Sequence, residues 1–249
     1  MKKLFLILFI FILSGILFAG CSTTVAPPVN SGEGEGEGEQ IDRVVLVEFF
    51  TVGCPNCTIA EPIIEGLAEE YDRTEMILLE LRPWGTPISP GANDRYEWYL
   101  PNAADRSTPN TFYNGSNQRI WHGHAYYIFK SPILNELAKD AKISITATRT
   151  DNGETSTISG KIKNLSSSSI ENLVVNGMTF RDYFKSGQRY MVKDIFKGIE
   201  EVGESLGAGE ERDFTIVLED IQWEINALHG VVFVQSSSTK EVFQALYVE

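Results

Sequence analysis

Two cysteines three positions apart, in the stretch "VVLVEFFTVGCPNCTIAEPII", carry the clearest chemical signal in this sequence. A pair spaced like Cys54 and Cys57 can exchange a disulfide with another thiol, supply half of a zinc site, or staple a turn. The residues around the pair favour the first. An apolar run ends just before it and a helical pattern starts just after it, so the first cysteine falls at a helix N-terminus. Unbonded backbone N–H groups and the helix dipole stabilise a thiolate there, lowering its pKa from about 8.5 to roughly 3.5–7.5. The second cysteine falls one turn inside the helix, close enough to resolve a mixed disulfide.

The elements that must hold this pair are readable from periodicity. Arg43–Phe50 is a short apolar run rich in β-branched and aromatic residues, as in a strand buried on both faces. Ile59, Ile63, Ile64 and Leu67 recur at helical spacing from Cys57 to Tyr71. Glu75–Arg82 reads as a second buried strand, which makes a β-α-β unit with a parallel pair and a right-handed crossover. An insert, Pro83–Ser107, contains a short helix over Asp94–Leu100. Asn110–Gly123 reads as a hairpin about an Asn-Gly turn, and a helix that Pro132 kinks or delays closes this half. From about Lys142 the pattern alternates apolar with polar and breaks at Asp-Asn-Gly and at a serine run. Strands at Tyr190–Phe196, Asp213–Glu219, Gly230–Gln235 and Glu241–Val248 complete an expected antiparallel β-sandwich.

The chain has 249 residues, is 43% hydrophobic and carries a net charge of -13. That length accommodates two modest cores, and that charge argues against nucleic acid, because few cations are left to neutralise phosphates. Lys2 and Lys3 precede the apolar run "LFLILFIFILSGILFAG", the pattern of a secretory signal. Its ending, "LFAGC", resembles the bacterial lipobox, with Phe18 where leucine is usual. The resemblance implies a signal peptide over residues 1–20 and lipidation of Cys21. Ser22 after that cysteine implies the outer membrane in a diderm bacterium. "STTVAPPVNSGEGEGEGEQ" cannot bury a core and reads as a tether over residues 21–40, spanning roughly 25 Å as a coil. Beyond the membrane disulfides persist. With Cys21 lipidated, Cys54 and Cys57 can pair only with each other or with something outside the chain.

"VLVEFFTVGCPNCTIAEPIIEGLA" resembles the strand, active-site turn and long helix of the thioredoxin superfamily. Glu48 stands where thioredoxin carries a buried proton-shuttling aspartate, and Pro62 where its helix has a kinking proline. "STPNTFYNG" resembles the loop with the cis-proline that faces the active site, with Thr108 and Pro109 as the pair. Gly53 replaces the tryptophan before the first cysteine, Pro-Asn replaces Gly-Pro between the two, and the lysine that accompanies the acid is missing. The implied fold is an α/β thioredoxin-like domain over 41–141, a central mixed sheet flanked by helices. An all-β immunoglobulin-like sandwich follows over 142–249, its closing hairpin faintly similar to those of extracytoplasmic two-domain proteins.

In that fold the hairpin returns His122 of "WHGH" toward Cys54. Cys54, Cys57 and His122 then form an alternative metal set suited to zinc or copper, although His122 and His124 more often cap a helix or flank a groove. His229 reads as structural. Trp84, Tyr96, Trp98 and Tyr99 read as a satellite core before a peptide groove, and Glu69–Glu70 and Glu210–Glu211 as solvated surface. The expectation is a membrane-tethered, extracytoplasmic thiol–disulfide oxidoreductase without a cofactor. Cys54, Cys57 and Glu48 would be catalytic, and Thr108 and Pro109 would lie against the substrate. Its partners would be extracytoplasmic proteins bearing thiols or disulfides and an unknown redox partner. The alternatives are a metal-binding lipoprotein or an adhesion and assembly module with an inert disulfide.

Overall fold

All six residues of β1 (Val45–Phe50) are buried, as a near-continuous apolar run requires when both faces of a strand are covered. The computed structural model describes residues 41–153, 155–181, 189–196, 200–202, 205–219 and 228–249. The signal segment 1–20, Cys21 and the tether over 21–40 lie outside the described residues. β1 leads through the helix α1 (Cys57–Glu70) to β2 (Met76–Leu81), which lies parallel to it. The insert forms a second helix, α2 (Ala92–Tyr99). β3 (Asn110–Tyr113) pairs antiparallel with both β1 and β4 (Gln118–Trp121). The helix α3 (Tyr126–Leu137) then carries Pro132 buried within it, so the proline does not delay its start.

The sheet does not stop at residue 142. The later strands are β5 (Ile143–Asn152), β6 (Thr155–Asn164), β7 (Ile170–Glu171), β8 (Leu173–Arg181), β9 (Met191–Ile195), β10 (Glu200–Glu201), β11 (Ser205–Leu206), β12 (Glu211–Leu218), β13 (Leu228–Ser236) and β14 (Val242–Val248). β9 meets β2 in parallel at Glu80 and Met191, with the Glu80 N–H donating to the Tyr190 carbonyl at 2.9 Å. One mixed sheet therefore runs β14-β13-β8-β9-β2-β1-β3-β4, with β10 on β8. A second, antiparallel sheet, β12-β6-β5, shares no strand pairing with it, and β11 pairs with β7. The result is a mixed α/β fold with one large mixed sheet.

Two cores follow from strand periodicity. On β8, Leu173 and Val175 face a core shared with Ile158, Ile162, Phe214 and Ile216 of the smaller sheet. Met178 and Phe180 face the core built by β1, β2 and α1. β13 divides the same way, with Val232 and Val234 in one core and Val231 and Phe233 in the other. β12 shows the simple alternation of a half-covered strand, Phe214, Ile216 and Leu218 being buried.

The last strand also reaches the first. The Arg43 guanidinium donates to the Val242 carbonyl at 2.9 Å and pairs with Glu136 at 3.0 Å. The Val44 N–H donates to the Gln244 side chain at 2.8 Å, and that side chain returns a bond to the Asp42 carbonyl at 3.0 Å. At the expected Asn114-Gly115 turn, Gly115 has φ +93, and a Cβ there would sit 1.9 Å from the Lys240 carbonyl oxygen. Only glycine fits both the dihedral and the contact.

Candidate active site

β1 hands the chain to the cysteine turn while still bonded to its neighbour, the Thr51 N–H donating to the Leu81 carbonyl at 3.0 Å. Gly53 then adopts φ +74, turning the backbone out of the sheet. Cys54 is half-buried in the turn, and Cys57 is the first residue of α1 and fully buried. Their sulfurs lie at disulfide-bonding distance, with Cα atoms 4.9 Å apart. The Cys57 N–H donates to Cys54 Sγ at 3.2 Å, and the Thr108 hydroxyl approaches the same sulfur at 3.7 Å. The Thr108 carbonyl lies 3.4 Å from it. Thr108 is half-buried, the Thr108-Pro109 bond is cis and Pro109 is buried, so this loop forms the wall beside Cys54. Cys54 is thus partly accessible with two donors near its sulfur, while Cys57 is shielded. That asymmetry suits a division between an attacking and a resolving thiol.

Glu48 lies on β1 with no exposed surface, and both its oxygens are engaged. The Arg95 guanidinium of α2 grips them in a fork, Nε on Oε1 and Nη2 on Oε2, the latter at 2.8 Å. The Tyr99 hydroxyl donates to Oε2 at 2.5 Å. Arg95 also donates to Gln235 on β13 at 3.3 Å, and Gln235 donates to the Tyr99 oxygen at 2.9 Å. Burial and the Glu48 charge hold the Tyr99 hydroxyl protonated against the pull of Arg95. Sequence reasoning singled out Glu48 and Tyr99 but missed Arg95. An arginine one turn before a tyrosine on a short helix was the available signal.

The aromatics of the insert divide. Tyr96 stacks on Phe50 with ring centroids 4.4 Å apart, and Tyr99 stacks on Phe112 at 4.8 Å. Both belong to the main core, while Trp84 stays exposed and Trp98 packs partly buried against that core. His122 takes φ +54 after β4, its N–H donating to the Pro109 carbonyl at 3.2 Å, with its ring against Trp121 at 4.6 Å. His124 is exposed. His229 stacks on Tyr247 and bonds its hydroxyl.

Three other carboxylates come together between α1 and β2. Ligand oxygens of Glu61, Glu65 and Glu80 all lie within 4.8 Å of one another. Among the described residues this is the group whose donor atoms sit at metal-binding distance; Cys54, Cys57 and His122 are not so gathered. Burial pushes the Glu80 carboxyl well above the usual range, Glu61 and Glu65 push it further, and Arg82 opposes them. Burial raises Glu61 and Glu65 as well. Sequence reasoning missed this cluster; glutamates four apart on a helix and a glutamate inside the apolar strand "EMILLELR" hint at it, but not that they meet.

The fold has counterparts among solved structures. HBP35 of Porphyromonas gingivalis matches with a TM-score of 0.63 at 14% identity, covering 83% of this chain and 75% of its own. A protein from Agrobacterium tumefaciens matches with a TM-score of 0.52 at 15% identity, over 83% of this chain and 94% of its own. A domain of the outer membrane lipoprotein Omp28 from Porphyromonas gingivalis covers 44% of this chain at a TM-score of 0.32, too low to bear on the fold. No family model matches the sequence, and neither does any curated protein. Among the described residues no helix is long and apolar enough to cross a membrane.

Proposed function

We propose that this chain is a thiol–disulfide exchange protein whose N-terminal half is thioredoxin-like, held at a bacterial membrane by lipid on Cys21. Exchange would act on extracytoplasmic proteins and needs no cofactor. One observation carries the reading: a half-buried Cys54 beside a fully buried Cys57 at a strand-to-helix turn, walled by Thr108 and Pro109.

In the reducing direction the Cys54 thiolate attacks a substrate disulfide, forming a mixed disulfide and expelling one substrate thiolate, which takes up a proton. Cys57, deprotonated, then attacks Cys54 Sγ and expels the second substrate thiolate. The substrate gains two electrons and two protons, and the protein is left with the Cys54–Cys57 disulfide. The reverse sequence oxidises a substrate dithiol. The Cys57 N–H and the Thr108 hydroxyl supply hydrogen bonds to the Cys54 thiolate. In this reading Glu48 anchors Arg95 instead of carrying protons, because neither of its oxygens is idle. β8, β9, β13 and β14 complete the large sheet, and the sequence has no cysteine after Cys57.

The test is exchange with a model protein disulfide, together with the redox equilibrium of the pair. Cys54→Ser should abolish exchange and Cys57→Ser should accumulate the mixed disulfide. A potential between roughly -120 and -270 mV is expected. Undiminished exchange by Cys54→Ser, or a potential below about -300 mV with an unreactive thiol, would overturn the proposal.

A further inference from the structure

The Glu80 side chain has no exposed surface, and neither of its carboxylate oxygens has a hydrogen-bond partner. A buried carboxyl left this way is costly, because burial removes water and nothing replaces it. A Glu80 oxygen lies within 4.8 Å of carboxylate oxygens of Glu61 and Glu65, from successive turns of α1. Those two are only partly buried, so the cluster opens to solvent on the helix side.

From this geometry we infer that Glu61, Glu65 and Glu80 form a binding site for a hard divalent cation, joining α1 to β2. All three donors are carboxylate oxygens, the ligands that calcium, manganese and magnesium take. The three oxygens all lie within 4.8 Å of one another, close enough for one cation to reach all of them at the roughly 2.3–2.6 Å that calcium takes. Arg82 stands 4.0 Å from Glu61, and neither Glu80 oxygen has a hydrogen-bond partner, so no side chain answers the Glu80 carboxyl directly. A divalent ion gives that carboxyl the partner it lacks. Water would fill the remaining coordination positions through the open side. The site is separate from the Cys54–Cys57 chemistry and stands whether or not that pair exchanges disulfides.

The experiment is thermal unfolding of the full-length chain with CaCl2, MnCl2 or MgCl2 added in turn, at matched ionic strength in NaCl. The Glu61→Gln/Glu65→Gln double variant and Glu80→Gln run alongside. A site saturated about tenfold should raise the wild-type midpoint by about 3–6 °C. Both variants should lose that rise. The double variant changes only partly buried positions, so it keeps the test valid if Glu80→Gln folds poorly. Manganese paramagnetic resonance on the same samples should show about one bound ion per wild-type chain. No rise with any of the three ions, or an equal rise in the double variant from general adsorption to an acidic surface, would overturn the proposal.

Discussion

Glu48 and Arg95 meet as a buried forked ion pair, the carboxylate from β1 and the guanidinium from α2, with Tyr99 closing the same carboxylate. The pair does two things at once. It neutralises a charge that β1 places in the interior, and through Gln235 it ties the insert helix to β13. Buried pairs add little net stability while intact, but removing one partner strands a charge. Arg95→Leu should therefore cost about 3–5 kcal/mol, whereas Glu48→Gln with Arg95→Met should recover much of that loss. Urea midpoints at constant m measure it. If Glu48 is an anchor, the double variant also keeps most of its disulfide-exchange rate.

The two cysteines should differ sharply once reduced. Cys54 is half-buried with donors on its sulfur, and Cys57 has no exposed surface. Alkylation followed by peptide mapping should label Cys54 faster by an order of magnitude or more. Thr108→Val removes one donor from the sulfur and should move the alkylation pH profile upward while leaving the unfolding midpoint nearly unchanged.

His229 makes stability depend on pH. Its pKa lies below 6.5, chiefly through burial and then through the nearby Arg73 and Arg149 charges. The unfolded chain therefore takes up this proton at a higher pH than the folded one. The contribution is complete above about pH 6.5 and declines as the pH falls from there through the folded-state value. His229→Phe should flatten that part of the stability profile, with urea titrations between about pH 5 and 7.5 as the measure.

Gly115→Ala should be among the more damaging single changes. The new methyl would strike the Lys240 carbonyl, and alanine resists φ +93. A loss of about 2–4 kcal/mol is expected, read from chemical unfolding. A loss below about 1 kcal/mol would mean the turn can move off the Lys240–Glu241 segment.

Local order along the chain was legible because it depends on nearby residues. β1, α1, β2, the Asn114-Gly115 hairpin and the strands Asp213–Glu219 and Gly230–Gln235 all follow from periodicity and turn chemistry within short windows. The cysteine pair was legible for the same reason. Long-range pairing was not. Nothing in the β9 sequence says that its edge meets β2, because a strand buried on both faces carries no mark of its neighbour. The Arg95 fork on Glu48 joins positions 47 apart in sequence. The meeting of Glu80 with Glu61 and Glu65 depends on the crossover angle of α1, which no local pattern encodes. Pro132 does not delay α3, which starts at Tyr126, since a helix tolerates proline where packing compensates for the lost bond.

The bonds from Arg43 and Val44 to Val242 and Gln244 span 199 and 200 positions. Such contacts form late, because the intervening loop must close before they repay its entropy. During synthesis the segment that leads into β1 is therefore without these partners until 199 and 200 further residues have been made. Until then Arg43 and Val44 stay without the strand that ties them down, open to the mispairing that incomplete chains risk.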